Sequence, residues 1–199
     1  HIRFSKPIDF YIDIRGESYA EIFVDAYYDP FYFLYHYQLE MLDTIPLYHQ
    51  KNTGHFNNIY QALSAELYLP EEDKIVPFMK HNTGKLTYGI GNPNMDGYNS
   101  LADYYIKDNI IEIRIPWLLL NISDPSTKQR LGDFYENDWF VSESMPSIWF
   151  GGDFIQEDGE VTIDLYETTW QSWHTPTYHM RLKKSYALVQ AGFLNYLEE

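Results

Sequence analysis

A period of two, repeated in short bursts, most restricts the folds open to this chain. In FYIDIRG (residues 10–16) Phe10, Ile12 and Ile14 fall on one side, Asp13 and Arg15 on the other. In YAEIFVDAY (19–27) Ala20, Ile22, Val24 and Ala26 oppose Glu21 and Asp25. In IIEIRI (110–115) Ile111, Ile113 and Ile115 alternate with Glu112 and Arg114. Successive side chains of a strand leave on opposite sides of a sheet, so the pattern predicts strands with one dry face and one wet face. Gly16 between the first two stretches predicts a hairpin, and Asp108-Asn109 predicts another between DYYI and IIEIRI.

Other segments extend the pattern. Asp29-Pro30 reads as a turn, and FYFLYHY (31–37) as a third strand, aromatic on both faces. IYQALSAELYL (59–69) has the length of a strand or a helix; the alternation of Leu63, Ala65, Leu67 and Leu69 favours strand. KIVPFMK, KLTYGIG, SIWFGGDF and VTIDLYET are further strands, with Val161, Ile163 and Leu165 facing in. Pro116 cannot donate to a ladder, so pairing stops there. Trp117 and the leucines after it then form a short apolar turn tucked under the sheet, with Trp117 in the core. Near the end the period changes. Thr175 as N-cap, Pro176 at the first helical position, and Leu182, Tyr186, Val189, Phe193 and Tyr196 at steps of four and three predict an amphipathic helix over 176–197. The whole reads as one mainly β domain over 1–199, an antiparallel β-sandwich with that helix packed on it.

Composition removes several function classes. The net charge of −15 argues against nucleic acid and anionic membrane surfaces, which need Lys and Arg clusters; the densest here is Arg181, Lys183 and Lys184. No apolar run approaches the length a bilayer needs, so direct membrane insertion is not expected. Zero cysteines exclude disulfides and thiolate metal sites. The chain has no nucleophile elbow, zinc-protease helix, P-loop or dinucleotide fingerprint. Glycoside hydrolysis needs only two convergent carboxylates, and 29 acidic residues keep that chemistry open as a third reading.

Three sets of residues are candidates for binding. Asn92, Asn94, Asp96 and Gly97 stand at the first, third, fifth and sixth places of a calcium loop, with Asp103 at the twelfth. Pro93 interrupts it and Asn replaces Asp at its start, so a polar turn is the competing reading and no other cofactor is expected. The histidines show no metal spacing. The aromatics say most: nineteen Tyr, twelve Phe and five Trp make 18% of the chain. Sugars present apolar C–H faces ringed by hydroxyls, so their sites combine an exposed ring with polar side chains. ENDWF (Trp139), SIWFGGDF (Trp149) and YETTWQSWH (Trp170, Trp173, His174) have that mixture. Trp170 and Trp173 either form a paired wall for a ligand or anchor the helix.

Two stretches, GNPNMDGYNSLADYYIKDNIIEIRIPWLLLNISDPS (91–126) and WHTPTYHMRLKKSY (173–186), resemble the C-terminal module of large bacterial surface or secreted proteins. AEIFVDAY followed later by IEIRIPW is similar to the DOMON-like carbohydrate-binding sandwiches, including the family 9 carbohydrate-binding modules. The resemblance implies a jelly-roll-like β-sandwich, a non-catalytic glycan- or polysaccharide-binding role, a bacterial extracellular or cell-surface setting, and covalently linked domains in a larger parent chain. It also implies that the chain, opening on His1 in strand-like sequence, lacks the N-terminal strands of the parent domain. A structural or protein-interaction domain of the same fold is the runner-up.

Overall fold

The computed structural model describes residues 2–42, 48–155, 160–174 and 185–197. Strands dominate: β1 (Ile2–Phe4), β2 (Phe10–Ile14), β3 (Ala20–Asp25), β4 (Phe56–Asn58), β5 (Tyr60–Ser64), β6 (Leu67–Leu69), β7 (Lys74–Val76), β8 (Met79–Asn82), β9 (Tyr104–Lys107), β10 (Ile110–Ile113), β11 (Gln129–Leu131), β12 (Ser142–Ser144), β13 (Ile148–Phe150), β14 (Val161–Ile163) and β15 (Tyr166–Thr168). Three α-helices accompany them: α1 (Pro30–Tyr32), α2 (Phe134–Asn137) and α3 (Ser185–Leu197). Among the described residues these strands pair antiparallel, save that β1 runs parallel to β14; the isolated bridges Tyr88–Tyr104 and Ile90–Tyr98 are parallel as well. Among the described residues the strands form small sheets, one of three strands (β2-β3-β4) and six of two.

The two predicted hairpins are present. β2 and β3 meet across Gly16, whose φ of +70° is the left-handed turn geometry that glycine adopts without strain. β9 and β10 meet across Asp108-Asn109, with Asp108 at φ +54°. The alternation in residues 59–69 yields β5 and β6, as the period of two predicts.

β3 is the organising strand. Phe23–Asp25 pair with β4, while on Ala20–Ile22 the neighbouring backbone is that of residues 84–86. Ile22 N donates to the Gly84 carbonyl at 2.8 Å, and Leu86 N to Ala20 at 2.9 Å. A methyl group at Gly84 would sit 2.5 Å from the Ile22 carbonyl oxygen, so only glycine permits this approach. Both edges of β3 are therefore hydrogen-bonded, and both faces are covered. Ala20, Ile22 and Val24 are buried on one side. On the other, Tyr11 stacks on Phe23 with ring centres 4.7 Å apart and meets Phe56 edge-on. The expectation of a wet face carrying Glu21 and Asp25 is overturned: both are buried.

The predicted third strand is helical. The Asp29 carboxylate accepts hydrogen bonds from Phe31 N and Tyr32 N, and Pro30 occupies the first turn, where its missing N–H costs nothing. Asp-Pro here starts a helix rather than a turn. The chain runs through α1 into a π-helical segment, Phe33–Gln38. Rings four apart now meet, Phe31 with Tyr35 and Phe33 with Tyr37, which a strand cannot arrange. Phe33 is fully buried against Phe134, Tyr135 and Phe140, so the helical segment and α2 share one aromatic core.

The Pro-Trp corner also differs from expectation. Residues Trp117–Leu120 form a 3-10 turn closed by Asn121, which lies in the left-handed region and whose amide donates to the Tyr28 carbonyl at 2.7 Å. Asn121 and Ile122 hold the corner in place, and both are buried. Trp117 is 40% exposed and Leu118 is 68% exposed, so the corner turns its apolar residues outward rather than under the sheet.

Helix α3 covers the C-terminal half of the predicted helix; the Thr175-Pro176 start lies outside the described residues. Its apolar residues are spread around the axis rather than gathered on one side, since only Ser185, Gln190 and Asn195 are polar. The amphipathic reading is corrected to that extent.

Replacing Phe33 by Ala removes the ring shared by Tyr37, Phe134, Tyr135 and Phe140. We expect a loss of about 3–5 kcal/mol of unfolding free energy, measured in urea; a loss below about 1 kcal/mol would mean that this aromatic core is not a rigid one.

Candidate functional site

The predicted tryptophans are not entombed. Trp139 is 54% and Trp149 is 42% exposed, while Trp170 and Trp173 are half-buried and His174 is exposed. Trp139 follows α2 and lies against Phe140, which itself packs on Phe33 and Phe134. It is the open end of the aromatic core.

Trp149 and Trp170 belong to one ladder. Trp149 lies in β13 opposite Glu167 of β15, and Trp170 follows β15 by two residues. The ring partner of Trp170 is Trp117, at 5.1 Å and 36°; the paired wall expected from Trp170 and Trp173 is built by Trp117 and Trp170 instead. Placing Trp117 in the core hid this, because its spacing after Pro116 resembles a plug. Trp170 is fixed from behind by its indole N–H, which donates to the Pro125 carbonyl at 2.7 Å. Trp173 N donates to Ser126 at 3.2 Å. The Trp170 indole and the Trp173 backbone thus both dock on the loop Ser123–Lys128.

That loop braces itself. The Asp124 carboxylate accepts from Ser126 N at 2.9 Å, Ser126 Oγ at 2.6 Å and Thr127 Oγ1 at 2.6 Å. These hydrogen bonds hold its carboxyl below the usual range, the Ser126 hydroxyl most of all. Beside it, Pro146, Ser147, Glu167, Thr168 and Thr169 line an open depression of ≈350 Å³. Thr169 Oγ1 donates to Pro146 at 2.7 Å and Ser147 Oγ to Glu167 at 2.5 Å. The depression thus carries hydroxyl and carboxylate groups, and Lys128, which donates to its Thr169 Oγ1 at 2.9 Å, lies 5.7 Å from the centre of the Trp170 ring; the exposed Trp117–Trp170 pair and this margin form a shelf.

A second, buried constellation escaped the sequence reading. The Tyr27 hydroxyl donates to Asp133 Oδ1 at 2.6 Å, and Lys51 Nζ lies 2.6 Å from Asp133 Oδ2 and 2.9 Å from Glu136. Asp133 also caps α2 through Glu136 N. Burial raises the Asp133 carboxyl, but hydrogen bonds from Lys51, Tyr27 and the backbone outweigh it, so it stays below the usual range. Glu21 follows the same logic. Burial acts upward, yet Asn82, Asn58 and Tyr19 donate to it at 2.6, 2.5 and 3.0 Å and bring it below its ordinary value. Asp25 accepts from Tyr27 N at 2.9 Å, and burial raises it. Asp29 has no exposed surface; burial pushes it up to about 6 despite bonds from Asn57, Tyr32 N and Phe31 N. Each of these carboxylates is spent on capping or bracing. Glu21, Asp29 and Asp133 each have several donors; Asp25 has Tyr27 N, and the Asp9 carboxylate acts with burial to raise it. The alternation of acids with apolar residues was visible in β3, but nothing in the sequence marks which Asn would meet them.

The calcium candidates are divided. Asn92 Oδ1 accepts from Asn94 N at 3.0 Å within its own turn, and Gly97 supplies the bend at φ +80°. Asp103 instead accepts from Thr87 N at 2.8 Å. Among the described residues no three His, Asp or Glu side chains converge. His36 donates from Nδ1 to the Leu42 carbonyl at 2.7 Å.

Asp29 gives this architecture an unusual pH response. Its folded pKa lies above the unfolded value of 3.8, so the folded state binds the proton more tightly. Its contribution to stability therefore grows as pH falls through about 6 and is complete below 3.8. The size is on the order of 3 kcal/mol. Asp29→Asn should lack this term: the stability gap between wild type and variant widens from pH 7 to pH 4.5 in urea titrations. A gap that narrows would show that Asp29 is charged throughout. No family model, curated protein or solved structure matches this chain.

Proposed function

We propose that this chain is a non-catalytic carbohydrate-binding module, a jelly-roll-like β-sandwich that serves as an extracytoplasmic accessory to a larger bacterial protein. The observation that carries the reading is the Trp117–Trp170 pair, solvent-facing at Trp117 and joined to the polar depression through Lys128, which lies over Trp170 and donates to Thr169 Oγ1. Burying an indole normally stabilises a fold, so an indole left at the surface beside a polar depression is available to a flat apolar face. The small antiparallel sheets supply the ladder beside which the shelf stands; their closure into two facing layers belongs to the proposal. The capped state of the buried carboxylates favours binding over hydrolysis.

One observation favours the runner-up, a protein-interaction domain. Tyr186, Val189, Phe193 and Leu194 of α3 are all exposed. A helix apolar all round gains most from a partner that surrounds it.

Affinity electrophoresis against neutral and acidic polysaccharides tests the leading reading. We expect at least one polymer to retard the protein, and Trp117→Ala or Trp170→Ala to weaken that binding at least about ten-fold. If no polymer retards it, or both variants bind unchanged, the reading falls. Concentration-dependent sedimentation abolished by Phe193→Asp would then support the interaction domain.

A further inference from the structure

Two lysines sit on tryptophan faces beside the depression. Lys6 Nζ lies 3.3 Å from the centre of the Trp149 ring, and Lys128 Nζ 5.7 Å from that of Trp170. Lys128 donates to Thr169 Oγ1 at 2.9 Å and to the Pro146 carbonyl at 3.4 Å. Both acceptors are neutral and both line the depression. An ammonium has three N–H groups, so one remains. Among the described residues neither lysine forms an ion pair; those are made by Arg15, Lys51, Arg114 and Arg130. With 29 acidic residues against 14 basic ones, a carboxylate partner was easily supplied, yet these two cations have none among the described residues.

Lys128 is also placed at a cost. Its φ of +58° is left-handed, a conformation that strains a residue with a side chain by about 1 kcal/mol or more. Gln129 N to Asp124 at 2.8 Å and Met145 N to the Lys128 carbonyl at 2.8 Å hold it there. The braced turn fixes the stem's root, and the bonds to Thr169 Oγ1 and the Pro146 carbonyl hold the ammonium at its tip.

We propose that the shelf recognises an acidic glycan: one sugar ring lies on the Trp117–Trp170 pair and its single carboxylate or sulfate takes the remaining Lys128 N–H, one cation sufficing where stacking supplies the rest, whereas the phosphate tracts disfavoured by the −15 charge need a cluster. This rests on the glycan-binding reading and narrows it. Glu167, with Ser147 bonded to it, forms the opposite wall. The acid group therefore lies at the Lys128 end and neutral hydroxyls at the Glu167 end. Glu167 and Trp170 are three residues apart, at most about 11 Å, so Trp149 and Lys6 lie within reach of the adjoining sugars.

The test compares polygalacturonate, a sulfated carrageenan and neutral xylan by affinity electrophoresis and calorimetry, using wild type, Lys128→Gln, Lys128→Arg and Lys6→Gln. We expect an acidic polymer to bind more tightly than xylan and to weaken with added salt. Lys128→Gln should lose about ten-fold toward the acidic polymer and nothing toward xylan, and Lys128→Arg should retain binding. Whether polygalacturonate or carrageenan is preferred identifies the acid group. Should Lys128→Gln unfold, Lys6→Gln and the salt dependence carry the comparison. Tight binding of xylan with no preference for acid, or acidic binding that ignores both lysine variants, overturns this inference while the glycan reading stands. Binding to none of the polymers removes both.

Discussion

A strand covered on both faces and paired on both edges cannot leave a carboxylate unattended. β3 carries Glu21 and Asp25 into such a position, and Asp29 follows within one turn. Taking an ionised carboxylate out of water without partners is prohibitively unfavourable, so the surrounding chain is arranged to supply donors. Asn58 and Asn82 bring β4 and β8 to Glu21; Tyr27 N turns the chain after β3 onto Asp25; Asn57 and two helical N–H groups enclose Asp29. The polar centre thereby fixes where four separate segments meet. An apolar centre of equal volume would tolerate sliding; these hydrogen bonds do not.

The aromatic core grows from the same point. Because Asp29 caps a helix, Phe31 and Phe33 point inward from a helical turn; Phe31 meets Tyr60 and Phe78, and Phe33 meets α2, whose own cap, Asp133, is tied back to Tyr27 and Lys51. The exposed indoles lie at the ends of this construction. Trp139 closes the aromatic column, while Trp117 and Trp170 stand on the corner that Asn121 and the Ser123–Lys128 loop secure.

Local pattern revealed the mainly β character and both hairpins, since the period of two and the Gly16 and Asp108-Asn109 turns are decided by neighbours in sequence. It failed where one local cap overrides composition, and where a decision depends on distant chain. FYFLYHY has strand composition, yet one capping carboxylate ahead of Pro30 turned it into helix. Glu21 and Asp25 alternate as surface acids do, and only the remote asparagines and backbone donors make their burial tolerable. The tryptophans at 139, 149 and 170 stand out in the sequence as polar-flanked rings, but Trp117, the ring partner of Trp170, reads there as interior. Sequence spacing cannot show that a corner faces outward.

The division of strands into so many short ladders has a consequence for motion. In a two-stranded pair each chain keeps one row of amides open to water, and local opening is correspondingly cheap. Among the described residues only the β2-β3-β4 unit, with residues 84–86 alongside, encloses a strand completely. Amide protons of β3 are therefore the last to exchange with deuterium. Those of β13 and β15, beneath the indole shelf, exchange far sooner, leaving that ladder free to adjust its twist to whatever lies upon it.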